Sequence, residues 1–174
     1  MTTSLDVVVP VLNEAQDLSP NISRLHEFLS GQLDDYDWRI VIADNGSTDF
    51  TPDIAKALSQ QHARVGYIRL EQRGRGRALA RAWGDSDADI VSYMDVDLAT
   101  DLSHLRELVE AVGNEDYDIA IGSRLKKGAQ VIGRPPKREL ISRGYSLIFR
   151  AMFLTRFRDA QCGFKALSRR AAND

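Results

Sequence analysis

The feature that most limits how this chain can fold is a regular alternation of short, valine- and isoleucine-rich runs with amphipathic stretches. Residues 5–11, 38–43, 65–70, 89–94 and 117–122 read as buried strands. Between the first two, residues 14–30 place Leu18, Ile22, Leu25, Phe28 and Leu29 at helical spacing. Residues 51–61, 74–83 and 101–112 read as further helices, with Pro52 near a first turn, where its missing N–H does no harm. Repeated βα units predict an α/β fold, a mostly parallel sheet with helices on both faces. Ligands of such sheets bind at the carboxyl ends of the strands. The polar sequences fall at those ends: Asn13-Glu14, Asp44 to Asp49, Gln72 to Gly76, Asp95 to Asp97, and Ser123-Arg124. That coincidence argues for one shared site.

The length of 174 residues suits a single domain. Its charge is uneven. Residues 1–123 hold 10 Lys and Arg against 22 Asp and Glu, whereas residues 124–174 hold 13 against 3. The basic third is expected to meet something anionic, with nucleic acid, phosphorylated small molecules and an anionic membrane surface as the classes to weigh. An unevenly charged solvated surface is the plainer reading. Residues 126–137 read as a basic Gly/Pro-rich loop, and 138–157 as a helix with arginines in an apolar background. The single cysteine, Cys162, allows no internal disulfide and points to a reducing, cytoplasmic setting. The N-terminus lacks a basic, cleavable leader, and no uncharged apolar run is long enough to span a bilayer.

Asp95-Val96-Asp97 closes an apolar strand. Residues two apart in an extended segment point the same way, and two close carboxylates need a cation or a proton between them. A hard ion, Mg²⁺ or Mn²⁺, suits such oxygens and can also hold a diphosphate. An acidic turn would look the same. A dehalogenase-type nucleophile is disfavoured, because that fold carries its D-x-D after the first strand and three strands precede this one. Asp44-Asn45-Gly46-Ser47-Thr48-Asp49 combines a turn signal with helix-capping residues, and Asp44 at the strand end also suits a base or ribose. Gln72-Arg73-Gly74-Arg75-Gly76-Arg77 leads into a helix, where backbone N–H groups can approach phosphates. It is neither a P-loop nor a dinucleotide fingerprint. It also lacks nearby aromatics for stacking on bases. His26, His62 and His104 share no ligand spacing and read as surface or packing residues.

Taken in order, 7–14 (Val-Val-Val-Pro-Val-Leu-Asn-Glu), Asp44 to Asp49, 73–78, Met94 to Leu98, Gly122-Ser123-Arg124 and Gln161-Cys162-Gly163-Phe164-Lys165 resemble the motif series of family 2 glycosyltransferases with the GT-A fold, a Rossmann-like α/β architecture. Within them the chain is similar to the polyprenyl-phosphate hexose synthases of the dolichyl-phosphate mannose and glucose type. The resemblance covers essentially the whole chain. It implies that Pro10, Asn13, Glu14, Asp44, Gly46, Arg73 and Gly76 hold the nucleotide-sugar donor. Asp95 and Asp97 would be the metal-diphosphate pair, and Arg124, Arg138 and Ser142 would grip the acceptor phosphate, with Asp95, Asp97 and Arg124 at the reaction centre. Ala99 stands where mannosyl synthases carry a Gln, and Gln161 to Lys165 is closer to the glucosyl type, which points to UDP-glucose rather than GDP-mannose.

The activity implied is inverting transfer of a hexose from a nucleoside-diphosphate sugar to a polyprenyl phosphate. It requires Mg²⁺ or Mn²⁺, takes place at the cytoplasmic membrane face, and has no nucleic-acid partner. Residues 1–123 would form the donor part and 124–174 the acceptor part of one catalytic domain, shortened at its C-terminus relative to the family. Residues 145–157 suit either a membrane interface or packing on the sheet. The rivals are transfer to a sugar or protein hydroxyl, with Asp159 as the nearest base, and a non-catalytic nucleotide-sugar or nucleic-acid binding module.

Overall fold

In the computed structural model, the residues described are 2–114, 117–123, 144–147, 152, 159 and 162–173. They alternate β1 (Ser4–Val11), α1 (Leu18–Gln32), β2 (Asp37–Asp44), α2 (Thr51–Gln61), β3 (Val65–Arg69), α3 (Arg75–Gly84), β4 (Ile90–Met94), a 3₁₀ turn (Leu102–His104), α4 (Leu105–Gly113) and β5 (Ile119–Ile121). A further strand, β6 (Phe164–Ser168), and a short helix, α5 (Arg169–Asn173), follow. The six strands form one sheet in the order β3-β2-β1-β4-β6-β5.

β1 is the centre. Leu5, Val7, Val8, Val9 and Val11 are all at most 1% exposed, each worth about 1.5–3 kcal/mol relative to an exposed side chain. β1 pairs in parallel with both β2 and β4, and β2 with β3. The chain therefore winds outward from β1 through β2 to β3, then returns to add β4 on β1's other side. The β1/β4 boundary is the switch point at which α/β sheets open a crevice. Pro10 lies two residues beyond the last β1–β4 pair, Val8–Tyr93, so its missing N–H costs no rung there. Helix α1 covers one face through Leu18, Ile22, Leu25 and Leu29, and α3 covers the other through Ala78, Leu79 and Ala82, against Val8, Val41, Ala43 and Tyr93.

One strand, β6, was not foreseen, and two expectations need correction. β6 runs antiparallel between β4 and β5, so β5 lies at the sheet edge. Helix α1 starts at Leu18 rather than at residue 14, and ahead of it the N–H groups of Asn13, Glu14 and Ala15 donate to the side chains of Ser47, Thr51 and Asp49. Asp95 to Leu98 is a turn closed by Leu98 N–H on the Asp95 carbonyl, not an extended segment, so strand alternation does not set the two aspartates' directions. The foreseen loop at 126–137 and most of the foreseen helix at 138–157 lie outside the described residues. Among the described residues no helix is long and apolar enough to cross a membrane.

Candidate active site

Three loops at the carboxyl ends of β1, β2 and β3 are laced together by side chains. Ser47 Oγ accepts the Asn13 N–H at 2.9 Å, Thr51 Oγ1 accepts the Glu14 N–H at 2.8 Å, and Asn13 Oδ1 accepts the Thr48 N–H at 2.9 Å. Asn13 adopts a left-handed φ of 57°, a conformation asparagine tolerates better than most residues. Asn45 spans two junctions. Its N–H donates to the Val11 carbonyl, and its Oδ1 accepts the N–H of Gly74 ahead of α3. Gly46 sits at φ 79°, and a Cβ there would meet the Glu71 and Leu70 carbonyls at 3.2 and 3.3 Å, so this turn needs glycine.

Asp44 is wholly buried. Its Oδ1 accepts the Ser47 N–H, and its Oδ2 accepts Tyr67 Oη–H at 3.2 Å and Arg69 at 3.1 Å. Arg69 also donates to the Ser47 carbonyl. The carboxylate thus organises the β2 loop from beneath. Glu14, half-buried at the rim, has its pKa raised by burial and by the charges of Asp17, Asp97 and Asp49. Loops from β1, β2 and β4 therefore bring carboxylates towards one another, an arrangement eased by a cation.

Asp95 is held from two sides. Arg75, in the first turn of α3, ion-pairs with its Oδ1 and lies over the Tyr93 ring at 5.3 Å. On the other side is Gly163, where a Cβ would stand 2.1 Å from Asp95 Oδ2. Asp97 is exposed, and its Oδ1 accepts the Ala99 N–H at 3.1 Å. Ala99 helps line a small cavity of about 20 Å³ with Met94, Asp95, Leu98, Thr100 and Phe164. On β6, Lys165 lies opposite Tyr93 in register. Burial pulls the pKa of its ammonium down, the Arg75 charge adds to this, and Cys162 and Asp159 oppose it. Asp159 is itself buried, at 1% exposure.

The Asp95–Asp97 oxygens suit a hard divalent ion, and the absence of a side chain at Gly163 leaves Asp95 the room to turn towards one. Among the described residues no cluster of three or more His, Cys, Asp or Glu stands ready as a complete cage, so water or diphosphate oxygens would complete the shell.

Of the residues singled out in the sequence, Asn13, Glu14, Asp44, Gly46, Asp95 and Asp97 gather at this end of the sheet, and Pro10 is buried in β1 beneath it. Arg73 lies against Gly46, while a Cβ at Gly76 would meet open space. Arg124, Arg138 and Ser142 lie outside the described residues. Sequence reasoning passed over Asn45, Tyr67, Arg69, Arg75 and Gly163 as individuals. Three of these five, Asn45, Arg75 and Gly163, sit within the quoted motifs, and the other two lie in β3. Arg69 is the register partner of Asp44, a relation that only the pairing of β2 with β3 reveals. His26 and His62 stack near Trp38, at the opposite end of β2, as packing residues.

Residues 6–174 match the family model described as glycosyl transferase family 2. The chain is 40% identical over 168 residues to glycosyltransferase AglD of Haloferax volcanii, covering 96% of this chain and 27% of that protein. It is 33% identical over 166 residues to a dolichol-phosphate mannosyltransferase of Pyrococcus furiosus, covering 94% and 46%. The chain thus spans about a quarter to a half of the length of these relatives. Among solved structures, the Mycobacterium tuberculosis glucosyl-3-phosphoglycerate synthase in complex with Mn²⁺ and UDP-glucose superposes with a TM-score of 0.64 at 23% identity, covering 97% of this chain and 57% of that one. The shared architecture is GT-A.

Proposed function

The chain belongs to glycosyl transferase family 2, and from that premise we propose that it transfers a hexose from a nucleoside-diphosphate sugar to a polyprenyl phosphate. The observation that carries this reading is the convergence at the β1/β4 switch point. Asn13 and Glu14 follow β1 there, and Asp95 and Asp97 follow β4, on loops tied to those of β2 and α3. The Pyrococcus relative, named for dolichol phosphate, supports the acceptor class. Gln161 to Lys165 favours UDP-glucose as donor, with GDP-mannose as the runner-up.

In this reading the β1 and β2 loops bind the nucleotide, with Asp44 setting their shape from below. Asp95 and Asp97 would hold Mg²⁺ or Mn²⁺, which supplies charge neutralisation for the departing diphosphate. A phosphate monoester, with a second pKa near ~6, is largely a dianion at neutral pH and needs little help from a base. Direct attack of that oxygen on the anomeric carbon inverts it. In this reading Arg124, Arg138 and Ser142 grip the acceptor phosphate through forked, permanently charged donors and a hydroxyl, and a polyprenyl acceptor would bring the chain to a membrane surface.

The test is direct. The purified chain is incubated with Mn²⁺, a polyprenyl phosphate in detergent micelles, and either UDP-glucose or GDP-mannose, and the lipid product is identified by mass spectrometry. A glycosyl phospholipid from one donor supports the proposal. Transfer to a hydroxyl acceptor with none to the lipid phosphate refutes it.

A further inference from the structure

The carboxylate that leads the proposed metal pair is already engaged by a cation of the chain itself. Arg75 sets its guanidinium on Asp95 Oδ1 and over the ring of Tyr93. Tyr93 is buried at 8% exposure and is a fixed platform, whereas the Arg75 side chain is 53% exposed and can leave. We propose that Arg75 is a positioning residue that caps Asp95 until a divalent ion arrives, and then turns from Asp95 to the donor's diphosphate. The inference rests on the reading of Asp95 and Asp97 as the metal-holding pair.

Charge decides the exchange. A dication at Asp95 repels a guanidinium sharing the same carboxylate. Lys165, beneath the same spot on β6, already feels the Arg75 charge and adds to the push. A displaced Arg75 stays anchored in the first turn of α3, beside the Gly74 lead tied to the β2 loop through Asn45. Its forked donors match diphosphate oxygens there. Metal alone must therefore break an ion pair without a substitute for it, while metal with diphosphate replaces what is broken. The two ligands should bind cooperatively through this one side chain.

The experiment is Mn²⁺ titration of the purified chain, followed by loss of the paramagnetic resonance signal of the free ion, with and without UDP. Arg75→Met should take up Mn²⁺ alone at least about fivefold more tightly than the unmodified chain, and should gain less from UDP. Arg75→Lys, which keeps the charge, should stay near the unmodified chain. Arg75→Gln repeats the test with a different packing, and circular dichroism verifies folding. If neither neutral variant binds Mn²⁺ more tightly, the cap is disproved while the metal site stands. If Asp95→Asn binds Mn²⁺ as well as the unmodified chain does, the ion is not at Asp95, and the underlying reading fails together with the cap.

Discussion

A β-carbon at position 163 would stand 2.1 Å from Asp95 Oδ2, so the lack of a side chain at Gly163 is what leaves that carboxylate its place. The closeness follows from β6, which pairs antiparallel with β4 and brings Phe164 opposite Met94. In Gly163→Ala the carboxylate must move, and it is exposed enough to do so cheaply. Stability should therefore change by less than about 1 kcal/mol, while Mn²⁺-dependent UDP binding weakens by about tenfold or more. Calorimetric titration with UDP, with and without Mn²⁺, reads the second quantity. Unchanged metal dependence in a folded variant would break the link between Gly163 and the site.

Arg69 and Asp44 form a second decisive pair. Asp44 is fully buried, and its carboxylate oxygens accept from Arg69, Tyr67 and the Ser47 N–H. Arg69→Met strands a buried carboxylate and should clearly lower the midpoint of urea unfolding. Adding Asp44→Asn removes the stranded charge and should recover part of that loss, a non-additivity that a double-mutant cycle measures. Strict additivity would mean that the pair does not act as a unit.

The strands β1 to β4 and the helices between them were legible because each buried run and each helical stripe satisfies its own local pattern, as Val7 to Val9 and Leu18 to Leu29 do. β6 was not, because Phe164 to Ser168 carries Lys165 in its middle and lies at the end of a long basic segment. Its antiparallel sense belongs to chain topology rather than to any periodicity. The aspartates of the site could be singled out because Asp at a strand end is conspicuous. Their partners could not. Arg69 reaches Asp44 through strand register and Arg75 reaches Asp95 through helix placement, and neither relation has a sequence period.

Asn45 offers a cleaner test of the loops than any charged residue. Its backbone N–H ties it to the end of β1, and its side-chain Oδ1 holds the lead of α3. Asn45→Ala leaves the Gly74 N–H without its acceptor and frees the lead that carries Arg75. Donor KM should rise by about tenfold, with kcat changed less, since the loss falls on ordering of the binding loops. Initial rates over a range of nucleotide sugar separate the two constants. A fall in kcat alone would assign Asn45 to the chemical step instead.

The His26 ring packs edge-on to Trp38 at 5.1 Å and lies 4.7 Å from the His62 ring, with Arg64 over the same Trp38 and Asp37 beside Arg64. Burial, then the neighbouring His62 and Arg64 charges, lower the His26 pKa from its ordinary value of 6.5. The unfolded chain therefore binds this proton more readily than the folded one. Its contribution to stability is complete above about pH 6.5 and declines as pH falls from there towards the lowered folded value. His26→Gln removes the titrating group and should flatten the dependence of unfolding free energy on pH below that point, as read by urea denaturation at a series of pH values. An equally steep slope in the variant would move the acid sensitivity to another group. Nucleotide binding at neutral pH should be unaffected, because Trp38 opens β2 whereas the candidate site lies beyond its other end, at Asp44.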